Sequence, residues 1–198
     1  SSCWIRVSQP HAGSNWGHIA LPRIGEEVIV SFYEGDPDRP IITGRVYNAR
    51  NMPPFSLPGE MTRTGIKSKT HKGSGYNEIS VDDTAGKEQV RIHGQYNMDT
   101  TVENDETHTI HNNRTKKVDV DETMTIGNNQ KLDVGVNKTV SVGANHSETV
   151  GANQSTSVGA NQSNTVAMMR THSVGINEMI NVGAAQEISV GGFQALSL

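Results

Sequence analysis

The sequence predicts an all-β chain in which part of a small barrel leads through a collar into a needle of eight-residue repeats. Three observations predict it. From residue 102 onward a β-branched aliphatic stands at every eighth position. Before that point, short β-branched and aromatic runs alternate with Pro- and Gly-rich turns. Hydrophobic residues are 33% of the 198, aromatics 5% and charged residues 19%, a mixture too polar for one ordinary core or a helical bundle.

Composition shifts along the chain and marks its organisation. All seven prolines lie between Pro10 and Pro58, and Phe193 is the only aromatic after Tyr96. Acidic and basic residues balance through residue 101, so the remainder carries the whole net charge of −4. Neither half offers a basic face for phosphate backbones, which excludes nucleic acid as the expected partner. No apolar run approaches the roughly 20 residues of a membrane span, and no charged-then-apolar leader opens the chain. It is expected to be soluble. Ser1-Ser2-Cys3-Trp4 starts without Met in strand-like sequence, as expected of a piece of something longer. A lone cysteine makes no internal disulfide, so Cys3 reads as a small hydrophobe folded in a reducing compartment.

Residues 1-50 hold the barrel elements. Trp4 to Ser8, Glu27 to Tyr33 and Pro40 to Tyr47 are β-rich, and Asp36-Pro37-Asp38-Arg39-Pro40 is a turn between the last two. This suits part of a Greek-key barrel. Residues 51-101 form linker and collar: Asn51 to Thr64, with Pro53, Pro54 and Pro58, links, while Glu78 to Val81 and Gln89 to Ile92 flank Thr84-Ala85-Gly86-Lys87 as a hairpin.

Residues 102-198 are the octads. The phase is set by Val102, Ile110, Val118, Ile126, Val134, Val142, Val150, Val158, Val166, Val174, Val182 and Val190. Val and Ile are one residue in six, so twelve in a row in any phase arises by chance on the order of a few times in 10⁹. The next residue is glycine in eight copies: Gly127, Gly135, Gly143, Gly151, Gly159, Gly175, Gly183 and Gly191. Asn stands three after the aliphatic in seven, and Ser or Thr precedes it in most.

A helix would walk the aliphatic round its cylinder, and a Gly per octad costs about 1 kcal/mol each. Strand plus turn is the alternative. In Ser147-Glu148-Thr149-Val150 the Val points inward and the Thr outward. Gly and Asn then turn the corner, where positive φ is expected. The residue two before the aliphatic shares its side. Leu132, Val140, Ile180 and Ile188 suit an interior, whereas Glu148, Thr156 and Asn164 predict that part of it is polar.

One octad makes no core alone. A single chain coiling with three octads per turn, or three chains intertwined, would each satisfy the pattern. The solenoid needs longer apolar strands and bulky caps, so one dependable aliphatic per octad favours the homotrimer. At about 4.8 Å per layer, twelve octads give a needle of roughly 55 to 60 Å.

Cys3 to Val7, Gly17-His18-Ile19-Ala20-Leu21-Pro22-Arg23-Ile24-Gly25 and Glu34-Gly35-Asp36-Pro37-Asp38-Arg39-Pro40 resemble the OB-fold of VgrG proteins, the trimeric spike of the bacterial type VI secretion system. The stretch from Asn77 to Gln95 continues the likeness. The Val-Gly octads are similar to the intertwined β-helix that VgrG shares with the tailed-phage central spike. The resemblance covers essentially the whole chain. It implies a partial OB-fold barrel followed by an intertwined trimeric triple-stranded β-helix. It implies a structural puncturing spike with the secretion tube protein on its N-terminal side and a tip or effector protein at its C-terminal end. Such a spike is assembled in the bacterial cytoplasm, secreted, and driven mechanically through a target membrane. Three departures stand out. A short Pro-rich linker fills the place of the phage relative's lysozyme domain. Met169, Ala185 and Phe193 replace the corner Asn, and Val166-Ala167-Met168-Met169-Arg170 breaks the pattern once. Leu198 falls on the next aliphatic phase, so the needle is expected to continue.

No catalytic, cofactor or metal residue is expected. His108 and His111 lie three apart on a strand, which sends them to opposite faces. Asp82-Asp83 reads as a turn start and Gly35 to Asp38 as a solvated turn. The octad serines have no orienting His and acid. A phage-type tailspike or cell-wall hydrolase would need an acidic cleft, and a trimeric surface adhesin a signal peptide and anchor.

Overall fold

The computed structural model describes residues 4–195, so the expectations for Cys3 and Leu198 lie outside the described residues. The chain divides into two units, Ser1–Lys117 and Val118–Leu198. Among the described residues no helix is long and apolar enough to cross a membrane.

The first unit opens with three strands, β1 Arg6–Val7, β2 Glu27–Phe32 and β3 Pro40–Val46, in the order β1-β3-β2. β1 runs parallel to β3, with Arg6 beside Ile41, and β2 runs antiparallel to it from Glu27 opposite Val46 to Phe32 opposite Pro40. The register shifts between Ile29 and Val30, a bulge that bends the strand as a barrel requires. Pro40 opens β3, where its missing N–H breaks no ladder. β1 is two residues long rather than the five predicted, since only Arg6 and Val7 pair with β3.

The linker is shorter than predicted. Asn48 and Asn51 close a turn, Glu60 N–H donates to the Ser56 carbonyl, and at Arg63 the chain enters β4, Arg63–Lys67. With one aliphatic and a central glycine, Arg63-Thr64-Gly65-Ile66-Lys67 gives little strand signal. Gly65 is required there. It faces Ser80, and a Cβ on it would lie 2.6 Å from the Ile79 carbonyl oxygen and 2.6 Å from the Ser80 Cβ.

The predicted hairpin is β5 Glu78–Asp82 and β6 Gln89–His93, and β4 makes it a three-stranded antiparallel sheet with β5 in the middle. Gly86, at φ 75°, takes the left-handed position of the turn, and Lys87 N–H donates to the Thr84 carbonyl at 2.9 Å.

This collar is polar where a core is expected. Among the described residues no apolar side chain is buried, while Glu78 and Ser80 are. Glu78 Oε1 accepts from Arg63 Nη2 at 2.8 Å and from Ser80 Oγ at 2.6 Å. The Ser80 hydroxyl, then the Arg63, Arg91 and Lys67 charges, hold Glu78 below the ordinary 4.5. A folded pKa below the unfolded one means that the unfolded collar binds more protons. Its stabilisation is complete above the ordinary carboxylate range and is lost as pH falls through the depressed folded value. Glu78→Gln is expected to remove about 1.5 to 3 kcal/mol and much of this acid sensitivity. Thermal melts of both proteins from neutral pH to about pH 3 check it.

From residue 102 the chain repeats one local shape. Bends recur with a period of eight, each starting on the residue after the aliphatic: at 103, 111, 119, 127, 135, 143, 151, 159, 167, 175, 183 and 191. Among the described residues the runs between bends form no strand, and no backbone hydrogen bond joins one octad to another. The predicted extended runs therefore have no ladder partner within their own chain. One expectation is corrected. No octad glycine or asparagine has positive φ, and a Cβ on the octad glycines would meet nothing within 4 Å. The corners are turned by ordinary backbone, so neither left-handed φ nor crowding within the chain explains the recurring glycine.

Candidate functional site

The octad side chains fall into three bands of exposure. The twelve phase-setting aliphatics, Val102 through Val190, are uniformly half-covered at 44–53%. Two residues earlier, Met124, Leu132, Val140, Ile180 and Ile188 are 63–65% exposed. Two residues later, Val120, Val136, Met168 and Ile176 stand out at 86–98%. A bend shields side chains on its concave side and splays those on its convex side, so the phase-setting stripe lies on the concave side of the chain's path.

Contacts across the bends identify a third concave position. Gln130 Nε2 reaches Met124 Sδ at 3.6 Å, Gln154 Nε2 donates to Glu148 Oε1 at 3.2 Å, and His172 Nε2 lies 3.1 Å from Glu178 Oε1. Each pair is six residues apart. It joins the position two before one aliphatic to the position four before the next, with a bend between. Side chains on the convex side would diverge at that bend, so both members face the concave side. Sequence reading found the first member and missed the second. The signal available was the six-residue spacing of complementary polar side chains.

A second open surface lies on the collar. Ile66 is opposite Ile79, and Ile79 is opposite Ile92, so three isoleucines cross the sheet in one row, all exposed. Val81 and Val90 pair beside them and are exposed as well. The sheet thus buries its polar face and opens its apolar one, an inversion that costs free energy unless something covers it. The whole chain exposes 20101 Å², about twice the roughly 9,100 Å² expected of a compact monomer of its mass.

The residues considered for chemistry have ordinary roles. His108 Nε2 lies 2.7 Å from Glu106 Oε1, and His111 falls on a bend rather than on the strand predicted for it. Asp82 Oδ1 accepts from the Thr84 hydroxyl, the Thr84 N–H and the Thr62 hydroxyl. Those bonds, that from the Thr84 hydroxyl foremost, hold it below the usual carboxylate range, the reverse of what a general acid needs. Asp36 Oδ1 accepts the Asp38 N–H at 3.0 Å, and Arg39 pairs with Glu34, which closes the turn on itself. Among the described residues no three His, Cys, Asp or Glu side chains are grouped to hold a metal ion. A groove walled by Glu26, Glu27, Arg45, Lys67 and Lys69 carries both signs of charge and selects neither.

Comparison with known proteins bears on both open surfaces. The family described as bacteriophage T4 gp5 C-terminal trimerisation domain matches residues 64–171, a span that holds the collar isoleucines and nine of the twelve stripe residues. The family described as type VI secretion system/phage-baseplate injector OB domain matches residues 1–47. The chain is 58% identical over 121 residues to the type VI secretion system spike protein VgrG1b of Pseudomonas aeruginosa, 60% of this chain and 16% of that protein. It is 54% identical over 110 residues to the spike protein VgrG3 of Vibrio cholerae, 56% of this chain and 11% of that one. It is 55% identical over 114 residues to a protein named actin cross-linking toxin VgrG1, also of Vibrio cholerae, 58% of this chain and 10% of the toxin. The chain thus spans about a sixth or less of the length of these curated relatives.

Proposed function

We propose that this chain, which belongs to the bacteriophage T4 gp5 C-terminal trimerisation domain family, is the barrel, collar and needle of a homotrimeric type VI secretion spike. It acts mechanically and carries no enzymatic activity of its own. The observation that carries this reading is the half-covered aliphatic stripe, open along every octad and unpaired within its own chain. Two further copies would cover the stripe and supply ladder partners, leaving no strand edge along the shaft. The same copies would cover the collar isoleucines. The secretion tube protein then sits on the N-terminal side and a tip or effector protein at the C-terminal end. The spike is assembled in the bacterial cytoplasm and secreted when the tube is expelled.

The needle's surface fits passage through a bilayer. Between Thr139 and Met169 the only charged side chain is Glu148, and it faces the concave side. What remains outside is mostly Ser, Thr, Asn and Ala, with little fixed charge to desolvate. Deleting Ile126 to Val190 in the full-length protein is expected to abolish secretion and killing of target cells while the barrel still folds. Unchanged killing and secretion would refute the puncturing role.

A further inference from the structure

A strict repeat creates a problem of alignment. The aliphatic recurs in every octad, and from Ile126 onward glycine follows it in all but one. Three copies pooling these positions could therefore slide past one another by a whole octad and still stack aliphatic on aliphatic. The stripe that drives association is close to blind to axial alignment. The collar aligns the chains where the octads begin; along the octads themselves, any preference for one alignment must come from positions that differ between them.

Those positions are the other two on the concave side. Two before each aliphatic, the series from Leu132 reads Leu132, Val140, Glu148, Thr156, Asn164, His172, Ile180, Ile188. It is a polar block of four bounded on both sides by aliphatics. The position four before the next aliphatic is polar throughout, from Gln130 to Gln186, so the change from aliphatic to polar lies in the two-before position alone. The four-before position supplies partners at the ends of that block, Gln154 for Glu148 at 3.2 Å and Glu178 for His172 at 3.1 Å. Polar layers are tolerable when they gather together and share partners or water, and costly when one polar group enters an apolar layer.

We infer that this polar block, Glu148 through His172 on the concave side, holds the octads of the three copies in axial alignment. The inference rests on the trimeric reading above. In the aligned trimer every layer is of one kind. Sliding one chain by one octad places its Glu148 among the Val140 side chains of its neighbours, or its His172 among their Ile180 side chains. It also sets an aliphatic in a polar layer at the block's other end. Each mismatch disfavours the slid alignment, as a single polar residue in an otherwise apolar seam fixes the register of a coiled coil.

Two deletions of equal length separate this idea from its alternatives. Removing 135–142 joins Val134 to Gly143 and keeps the period, but it moves the polar block one octad toward the collar. Removing 183–190 joins Val182 to Gly191 and leaves the block in place. Each shortened full-length chain is denatured with the intact chain, refolded, and its trimers counted by native mass spectrometry. The 183–190 deletion is expected to mix with intact chains in the statistical ratio of 1:3:3:1. The 135–142 deletion is expected to form mixed trimers at least about tenfold below that ratio. Equal mixing of both deletions, or equal exclusion of both, would overturn the inference. Monomers from the intact chain alone would overturn the trimeric reading on which it stands.

Discussion

Val150→Asp is expected to prevent assembly of the needle, while Ser147→Asp, three residues away, leaves it almost unchanged. Val150 is 44% exposed in its own chain and lies on the stripe that the proposed trimer closes. The substitution would set three carboxylates around one axis in one layer. Each would be desolvated and repelled by the other two, with no opposite charge supplied for them. The expected loss is several kcal/mol per trimer, enough to shift the association equilibrium by more than two orders of magnitude. Ser147 stands on the other side of the strand by the alternation of extended chain. A charge there meets water, and its effect should stay within about 0.5 kcal/mol. Melting and sedimentation of the two variants decide between them. If both fall equally, the inward side has been assigned one residue out of register, since a shift by one exchanges the two faces.

Much of this architecture was legible because it is written as a period. Twelve β-branched residues spaced by eight fix where the concave side must be, and a bend follows each of them whether or not the next residue is glycine. The reason given for those glycines was nevertheless mistaken. Positive φ is a property of one backbone, and the octad corners do not use it. Their recurrence is explained neither by this chain's φ angles nor by its own contacts. Strand β4 was missed for the complementary reason. Its evidence lies in Ser80, fifteen residues away, where Gly65 makes room for the sheet to close, and no local pattern reports a distant requirement. The collar's polar interior was also hidden. Glu78-Ile79-Ser80-Val81 alternates as a half-buried strand should, but alternation does not say which face is buried. Here it is the face with Glu78, held by Arg63 and Ser80. The apolar row of Ile66, Ile79 and Ile92 is left open, as expected of a sheet whose other side belongs to an assembly.

Purified in solution, the chain is expected to be an obligate trimer with no folded monomer at micromolar concentration. Each valine of the stripe contributes about 1.5 to 2 kcal/mol if fully buried, and a single chain leaves roughly half of that unrealised. Fixing the backbone of each octad opposes folding by about 1 to 2 kcal/mol per residue, which one half-covered aliphatic in eight residues cannot offset. Three chains sharing each layer complete the burial and give every strand a ladder partner. Intertwining then has a kinetic consequence, because freeing one chain must break pairing in many layers together. The trimer should therefore run intact in SDS at room temperature and dissociate only on heating, without a populated dimer. Sedimentation equilibrium of the unheated protein is the direct measurement. A folded species of 21.4 kDa at micromolar concentration would show that the octads close on themselves, and the mechanical reading would lose the interchain pairing from which its stiffness derives.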